Sequence, residues 1–209
     1  MDTQKQTIED AYWEFTLLHE APPKSVFALC KQFKFKEDDF YRQYASLDAL
    51  ENRFWESNLT AVIQAIEADE DYTTYPNKQK LLAFYYTFFE HILPHRSRYL
   101  GRFPRKIGSC TAKRLRLMEK AFAEFIGSLD VPEDAHGSVP RLSGLQKLEK
   151  KGLWLHFLAV IRFYLGDESA EFADTDALIE KSVTLAWDVK EANVLNGAFD
   201  LLRFLKGRT

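Results

Sequence analysis

Chemistry has few places to sit in this chain of 209 residues. His91 and His95 stand four apart beside Glu90, a spacing at which one helix face could offer two nitrogens to a metal. Pro94 disturbs that turn and no third ligand accompanies the pair, so no metal site is expected. His156 and Arg162 interrupt the apolar run at residues 153–165. Each either snorkels to water or a buried partner, or serves as a polar anchor in a hydrophobic pocket. No nucleophile elbow, zinc-protease histidine pair, phosphate loop or dinucleotide fingerprint is present, so neither an enzyme nor a cofactor is expected. Cys30 and Cys110 are too few for a disulfide framework and lack CxxC spacing, which points to a reducing, cytoplasmic setting.

The sharpest asymmetry is one of charge. Residues 96–120 hold nine Lys and Arg, among them Arg96, Arg98, Arg102, Arg105, Lys106 and Arg114, against the single acid Glu119. Tyr99, Phe103 and Ile107 are interleaved with them. Arg beside aromatics suits an anionic lipid headgroup, a nucleic-acid backbone or an acidic partner protein. The same stretch also fits a solvated face that pairs with acids elsewhere. The whole chain carries only −3, so attraction to a polyanion must come from a local patch of this kind.

These groups must be positioned by helices. Apolar residues recur at three- and four-residue spacing from end to end, and no strict alternation competes, so the fold class is all-α with about nine helices. With 46% hydrophobic residues a packed core is expected, and 17 Phe, nine Tyr and four Trp make its interior bulky. From the polar, acidic start and the interruptions by His156 and Arg162, neither a signal peptide nor a membrane-spanning helix is expected. The first helix covers residues 8–19 and stops at Ala21, Pro22 and Pro23. Two short helices follow, the second over residues 37–44, in a helix-turn-helix pattern. Ser46 caps a fourth helix that runs to about Ala68. Residues 78–93 are aromatic nearly throughout and must be buried on most sides. Beyond a segment rich in Gly, Pro and Arg, further helices are expected over residues 111–129, 145–165, 175–189 and 195–205.

Residues 8–55 resemble the N-terminal domain of the TetR family. The likeness rests on PPKSVFALCKQFKFKEDDFYRQY as helix-turn-helix, on Phe40, Tyr41, Tyr44 and Ser46, and on Ala49 and Leu50 opening a long helix. It implies a helix-turn-helix domain over residues 1–56 and a ligand-binding and dimerisation domain over residues 57–209. It also implies DNA as a partner, with Ser25 and Tyr41 on phosphate and Lys36, Arg42 and Gln43 at groove edges. The chain departs from the family where Lys34 stands in place of the usual turn Gly. Glu37, Asp38 and Asp39 open the reading helix, and Leu47 replaces a phosphate-facing Lys. Residues 1–50 hold six basic and nine acidic side chains.

The resemblance further implies a bulky apolar small molecule or lipid as ligand, lined by Phe84, Tyr85, Phe88, Phe89, Trp154, Phe157 and Ile161. It implies a homodimer through the last two helices, although the same apolar stripe would also serve a chain-internal core. The Arg-rich stretch would belong to the ligand-binding half, where it suits a membrane or protein partner better than DNA. Asp167, Ser169, Asp174 and Thr175 are similar to positions in the lipid-binding accessory proteins of coenzyme Q biosynthesis. That second likeness makes a non-DNA-binding accessory or scaffold protein the alternative function, although Asp174 or Thr175 also fits a helix cap.

Overall fold

The computed structural model describes residues 6–106, 108–129 and 143–191. Among them are ten α-helices, three short 3-10 turns and no strand. The helices are α1 (Ile8–Leu18), α2 (Val26–Phe33), α3 (Glu37–Gln43), α4 (Leu47–Glu67), α5 (Asn77–Ile92), α6 (Arg96–Arg102), α7 (Ser109–Arg114), α8 (Arg116–Leu129), α9 (Ser143–Gly166) and α10 (Ala173–Glu191). The helix expected over residues 111–129 is notched at Leu115, which leaves helical geometry at φ −112° and ψ 14° and separates α7 from α8. The helix expected over residues 195–205 lies outside the described residues. No described helix is long and apolar enough to cross a membrane.

Local chemistry sets the helix ends. The Thr7 hydroxyl accepts from Asp10 N at 3.0 Å, Ser25 from Ala28 N at 3.1 Å and Ser46 from Ala49 N at 3.1 Å, each answering an amide that the first turn leaves open. The chain turns left-handed just past the cap of α1, at Glu20 (φ 53°), one residue short of the two prolines. α2 ends the same way at Lys34 (φ 58°, ψ 32°). This left-handed position is where the resemblance leads one to expect Gly, the residue that adopts it without steric cost.

Two compact units result: Met1–Thr60 with His91–Lys120, and Ala61–Glu90 with Ala121–Thr209. Indole rings anchor the first unit. Trp13 lies 4.5 Å from the Phe54 ring, and Trp55 lies 4.8 Å from Tyr99 and 5.7 Å from Phe103, all of them buried. Residues 91–120 therefore return to the N-terminal helices and do not join the larger half, because Tyr99 and Phe103 find their apolar partners on α4. The second unit is built around Phe157, which is ringed by Phe84, Tyr85, Phe88, Phe122 and Trp154 at 4.8–6.0 Å.

Candidate functional site

The helix-turn-helix begins at Ser25, whose oxygen is engaged by the Ala28 amide and whose hydroxyl hydrogen remains a donor. Phe40 is fully buried and meets Tyr41 edge-on at 5.6 Å and Tyr44 at 5.8 Å, which fixes the rotation of α3. With Phe40 inward, Tyr41 is 54% exposed, and Arg42 and Gln43 are exposed beside it. Gln43 Nε2 donates back to Asp39 O at 3.2 Å. Lys36, at the N-cap of α3, is exposed and makes no side-chain capping bond. Ser25, Lys36, Tyr41, Arg42 and Gln43 thus all reach solvent. Glu37, Asp38 and Asp39 occupy the first turn of α3, where carboxylates suit the positive end of the helix dipole.

The Arg-rich stretch divides into engaged and exposed side chains. Arg98 lies 3.5 Å from Asp10 and 3.9 Å from Glu9 on the first turn of α1, with its guanidinium over the Trp13 and Phe54 rings at 5.7 and 5.5 Å. Arg102 Nε donates to Glu51 Oε1 at 2.6 Å, and Arg114 Nη2 donates to Glu51 Oε2 at 2.8 Å and to Arg102 O at 2.7 Å. The Tyr12 hydroxyl donates to the same carboxylate. Burial and the neighbouring Glu51 charge hold that phenol well above its ordinary range. Burial works to lower the Arg102 pKa, yet the hydrogen bond and charge of Glu51 outweigh it and raise the value. Arg105, Lys106, Lys113 and Arg116 are exposed.

Sequence reasoning missed Glu51, which is 2% exposed and gathers two guanidiniums and a phenol. A signal was available, since a carboxylate on the face shared by Leu50, Phe54 and Trp55 needs partners. His91 and His95 have rings 6.4 Å apart, and no third His, Cys, Asp or Glu joins them in a metal-sized group among the described residues.

In the second unit Phe84, Tyr85, Phe88, Phe89, Trp154, Phe157 and Ile161 are all buried. A directional polar chain runs through this aromatic interior. Ser182 Oγ donates to Leu178 O at 2.6 Å, so it accepts from His156 Nε2 at 2.8 Å, and His156 Nδ1 then accepts from the Tyr85 hydroxyl at 2.6 Å. The network itself assigns this tautomer. Burial lowers the His156 pKa, and burial raises Tyr85 well above the usual phenol value. Of the two readings open for His156, the structure shows a half-buried side chain with partners. Arg162 is half-buried, with its pKa lowered by burial.

Asp167, Ser169, Asp174 and Thr175 form the joint between α9 and α10. Asp167 accepts from Ser169 N and Oγ at 2.8 and 2.6 Å and from Thr175 N and Oγ at 2.9 and 2.6 Å, while Ser169 Oγ accepts from Asp174 N at 3.1 Å. The Ser169 and Thr175 bonds hold the Asp167 carboxyl down at about 2. The acceptors that cap the first turn of α10 are therefore Asp167 and Ser169, while Asp174 and Thr175 lie inside that turn, and Glu171 and Phe172 hold φ 54° and 60° in between. On α10, Leu185 is 64% exposed on the face expected to meet a second copy.

A family model described as the tetracyclin repressor-like C-terminal domain matches residues 80–205. No curated protein matches the chain.

Proposed function

The chain belongs to the tetracyclin repressor-like family, and from that membership we propose a cytoplasmic, homodimeric transcriptional regulator that reads DNA with α3 and takes a bulky apolar ligand among Phe84, Tyr85, Phe88, Phe89, Trp154, Phe157 and Ile161. The observation that carries the DNA reading is the rotation of α3. Buried Phe40 turns Tyr41, Arg42 and Gln43 to solvent beside Lys36, and Ser25 sits at the start of α2. A short helix presented this way fits the major groove, with phosphate contacts flanking it. Regulation then follows from differential binding. A ligand that favours one arrangement of the larger half biases the pose of α4 and so the spacing of two reading heads in a dimer.

Fluorescence anisotropy tests this on purified full-length protein with duplexes from upstream of its own coding region and an unrelated duplex, across about 50–200 mM salt. Selective binding with a steep salt slope is the expected result. Binding no tighter than to the unrelated duplex at any salt would remove the regulator reading. The acids of α3 favour the second reading, a lipid-binding accessory or scaffold protein whose helix-turn-helix no longer meets DNA. Co-purifying lipid together with absent DNA binding would establish that one.

A further inference from the structure

The helix-turn-helix segment is short of positive charge, but the compact unit that contains it is not. Residues 1–60 and 91–120 together hold 16 basic and 12 acidic side chains, whereas the other unit holds 12 basic and 19 acidic. The excess comes from the Arg-rich stretch, and its engaged members fix where it lies. Arg98 pairs with Glu9 and Asp10 on the first turn of α1, and the charge of Glu9 also acts on Tyr44, the residue that ends α3. Arg102 and Arg114 close on Glu51, four residues into α4 and so about 6 Å along its axis. The engaged members of the stretch therefore lie against the first turn of α1 and the start of α4.

The described residues that follow α6 have partners. Phe103 is buried against Trp55 and Tyr99, Pro104 is buried, and the Thr111 hydroxyl donates to Lys106 O. Arg105, Lys106, Lys113 and Arg116 are exposed, and no hydrogen bond or ion pair engages their side chains among the described residues. Four exposed cations in the same compact unit as an acidic reading helix supply charge of the sign that helix lacks.

We propose that Arg105, Lys106, Lys113 and Arg116 form a second nucleic-acid contact, a clamp on the DNA phosphate backbone flanking the site where α3 docks. The inference rests on the DNA-binding reading above and deepens it: base contacts come from α3, while most of the electrostatic affinity comes from residues 105–116. Arg98, Arg102 and Arg114 are positioning residues that hold the clamp against α1 and α4. A lipid headgroup offers the same phosphate chemistry, but the cations share a compact unit with the helix-turn-helix, which favours DNA.

The test is the salt dependence of binding to an unrelated 40-base-pair duplex, which needs no knowledge of the operator. Each lost phosphate contact lowers the slope of log K against log salt by about 0.9, so the variant R105Q/K106Q/K113Q/R116Q should lose about 3 to 4 of slope. Affinity at 50 mM relative to 200 mM then changes by about a hundredfold less than in wild type. The half-variants R105Q/K106Q and K113Q/R116Q should each lose about half of that, and all three variants should keep the wild-type melting temperature because the substituted side chains are exposed. An unchanged slope in a wild type that binds DNA overturns the clamp and leaves the regulator reading standing. A wild type that binds no duplex at any salt overturns both. Loss of binding to phosphatidylglycerol vesicles with an unchanged DNA slope overturns the clamp in favour of a membrane surface.

Discussion

Glu51 and Arg102 meet at 2.6 Å inside the unit that carries the helix-turn-helix, although 51 residues separate them in the chain. The carboxylate is nearly inaccessible and the guanidinium is partly exposed, so the two partners are not equivalent. Arg114 and Tyr12 also act on Glu51, which makes it the single anion on which three donors depend.

Removing the anion should therefore cost more than removing one donor. Glu51→Ala strands two guanidiniums and a buried phenol and is expected to destabilise by about 3 kcal/mol, the lower end of the cost of breaking a buried pair. Arg102→Ala leaves Glu51 its other two donors and is expected to cost about 1–2 kcal/mol. Urea unfolding of both variants measures this. A larger loss for Arg102→Ala than for Glu51→Ala would show that the packing of Arg102 matters more than its pairing.

What could be read from the sequence follows from the range of the interactions. Ser25 and Ser46 cap helices through atoms three residues away, and Phe40 sits inward on a seven-residue helix, so both were legible in short windows. The Glu51 node is closed by groups 39, 51 and 63 residues distant, and no local pattern encodes that. Composition drew attention to the Arg-rich stretch, yet its place beside α1 and α4 follows from Tyr99 and Phe103 finding Trp55. The candidate ligand residues were legible as buried aromatics. The hydrogen bonds of His156 to Tyr85 and Ser182 were not, because they join three helices.

His156 predicts a pH dependence of stability. Its folded pKa lies below the ordinary value because the ring is buried, so the unfolded chain takes up the proton first as pH falls. The contribution is complete above the unfolded value of about 6.5 and is lost as pH drops below it. His91 and His95 are lowered by burial as well and add slope of the same sign. Thermal melts between pH 7.5 and 5.5 should thus fall less steeply for His156→Gln than for wild type, without becoming flat. Parallel curves would mean that His156 titrates alike in the folded and the unfolded chain.

Asp167 governs a lower window. Hydrogen bonds from Ser169 and Thr175 hold its pKa at about 2, below the unfolded value of about 3.9, so its stabilisation is present above pH 4 and lost as pH falls through 2. Asp167→Asn should weaken the joint between α9 and α10 at neutral pH and remove part of the acid dependence between pH 4 and 2. Circular dichroism during acid titration reads both effects. An unchanged acid transition would place the stability of the joint in the packing of Phe172 on Tyr164, whose rings lie 4.9 Å apart.

Lys34 is a position where sequence and backbone disagree. It holds φ 58° and ψ 32° at the end of α2, a conformation that costs an L-residue with a Cβ about 1–2 kcal/mol. Glycine removes that strain but loses more chain entropy on folding, so the expected net gain for Lys34→Gly is about 0.5–1 kcal/mol. A raised urea midpoint with an unchanged m-value would confirm it. A lowered midpoint would show that the lysine side chain contributes more than its backbone costs.

The three acids of α3 set stability against DNA affinity. Glu37, Asp38 and Asp39 fill the first turn, where each carboxylate is worth about 0.3–1 kcal/mol against the helix dipole. The same charges oppose a phosphate backbone, at about 0.6 kcal/mol for each pair roughly 7 Å apart in high dielectric. Neutralising all three as E37Q/D38N/D39N should lower the melting temperature. It should also raise non-specific DNA affinity by about 2 kcal/mol, roughly thirtyfold, at low salt. Anisotropy and thermal melts on one preparation measure the two effects together, and their opposite signs are what matter. A lower melting temperature with unchanged affinity would mean that the acids only cap α3 and that this helix faces no phosphate.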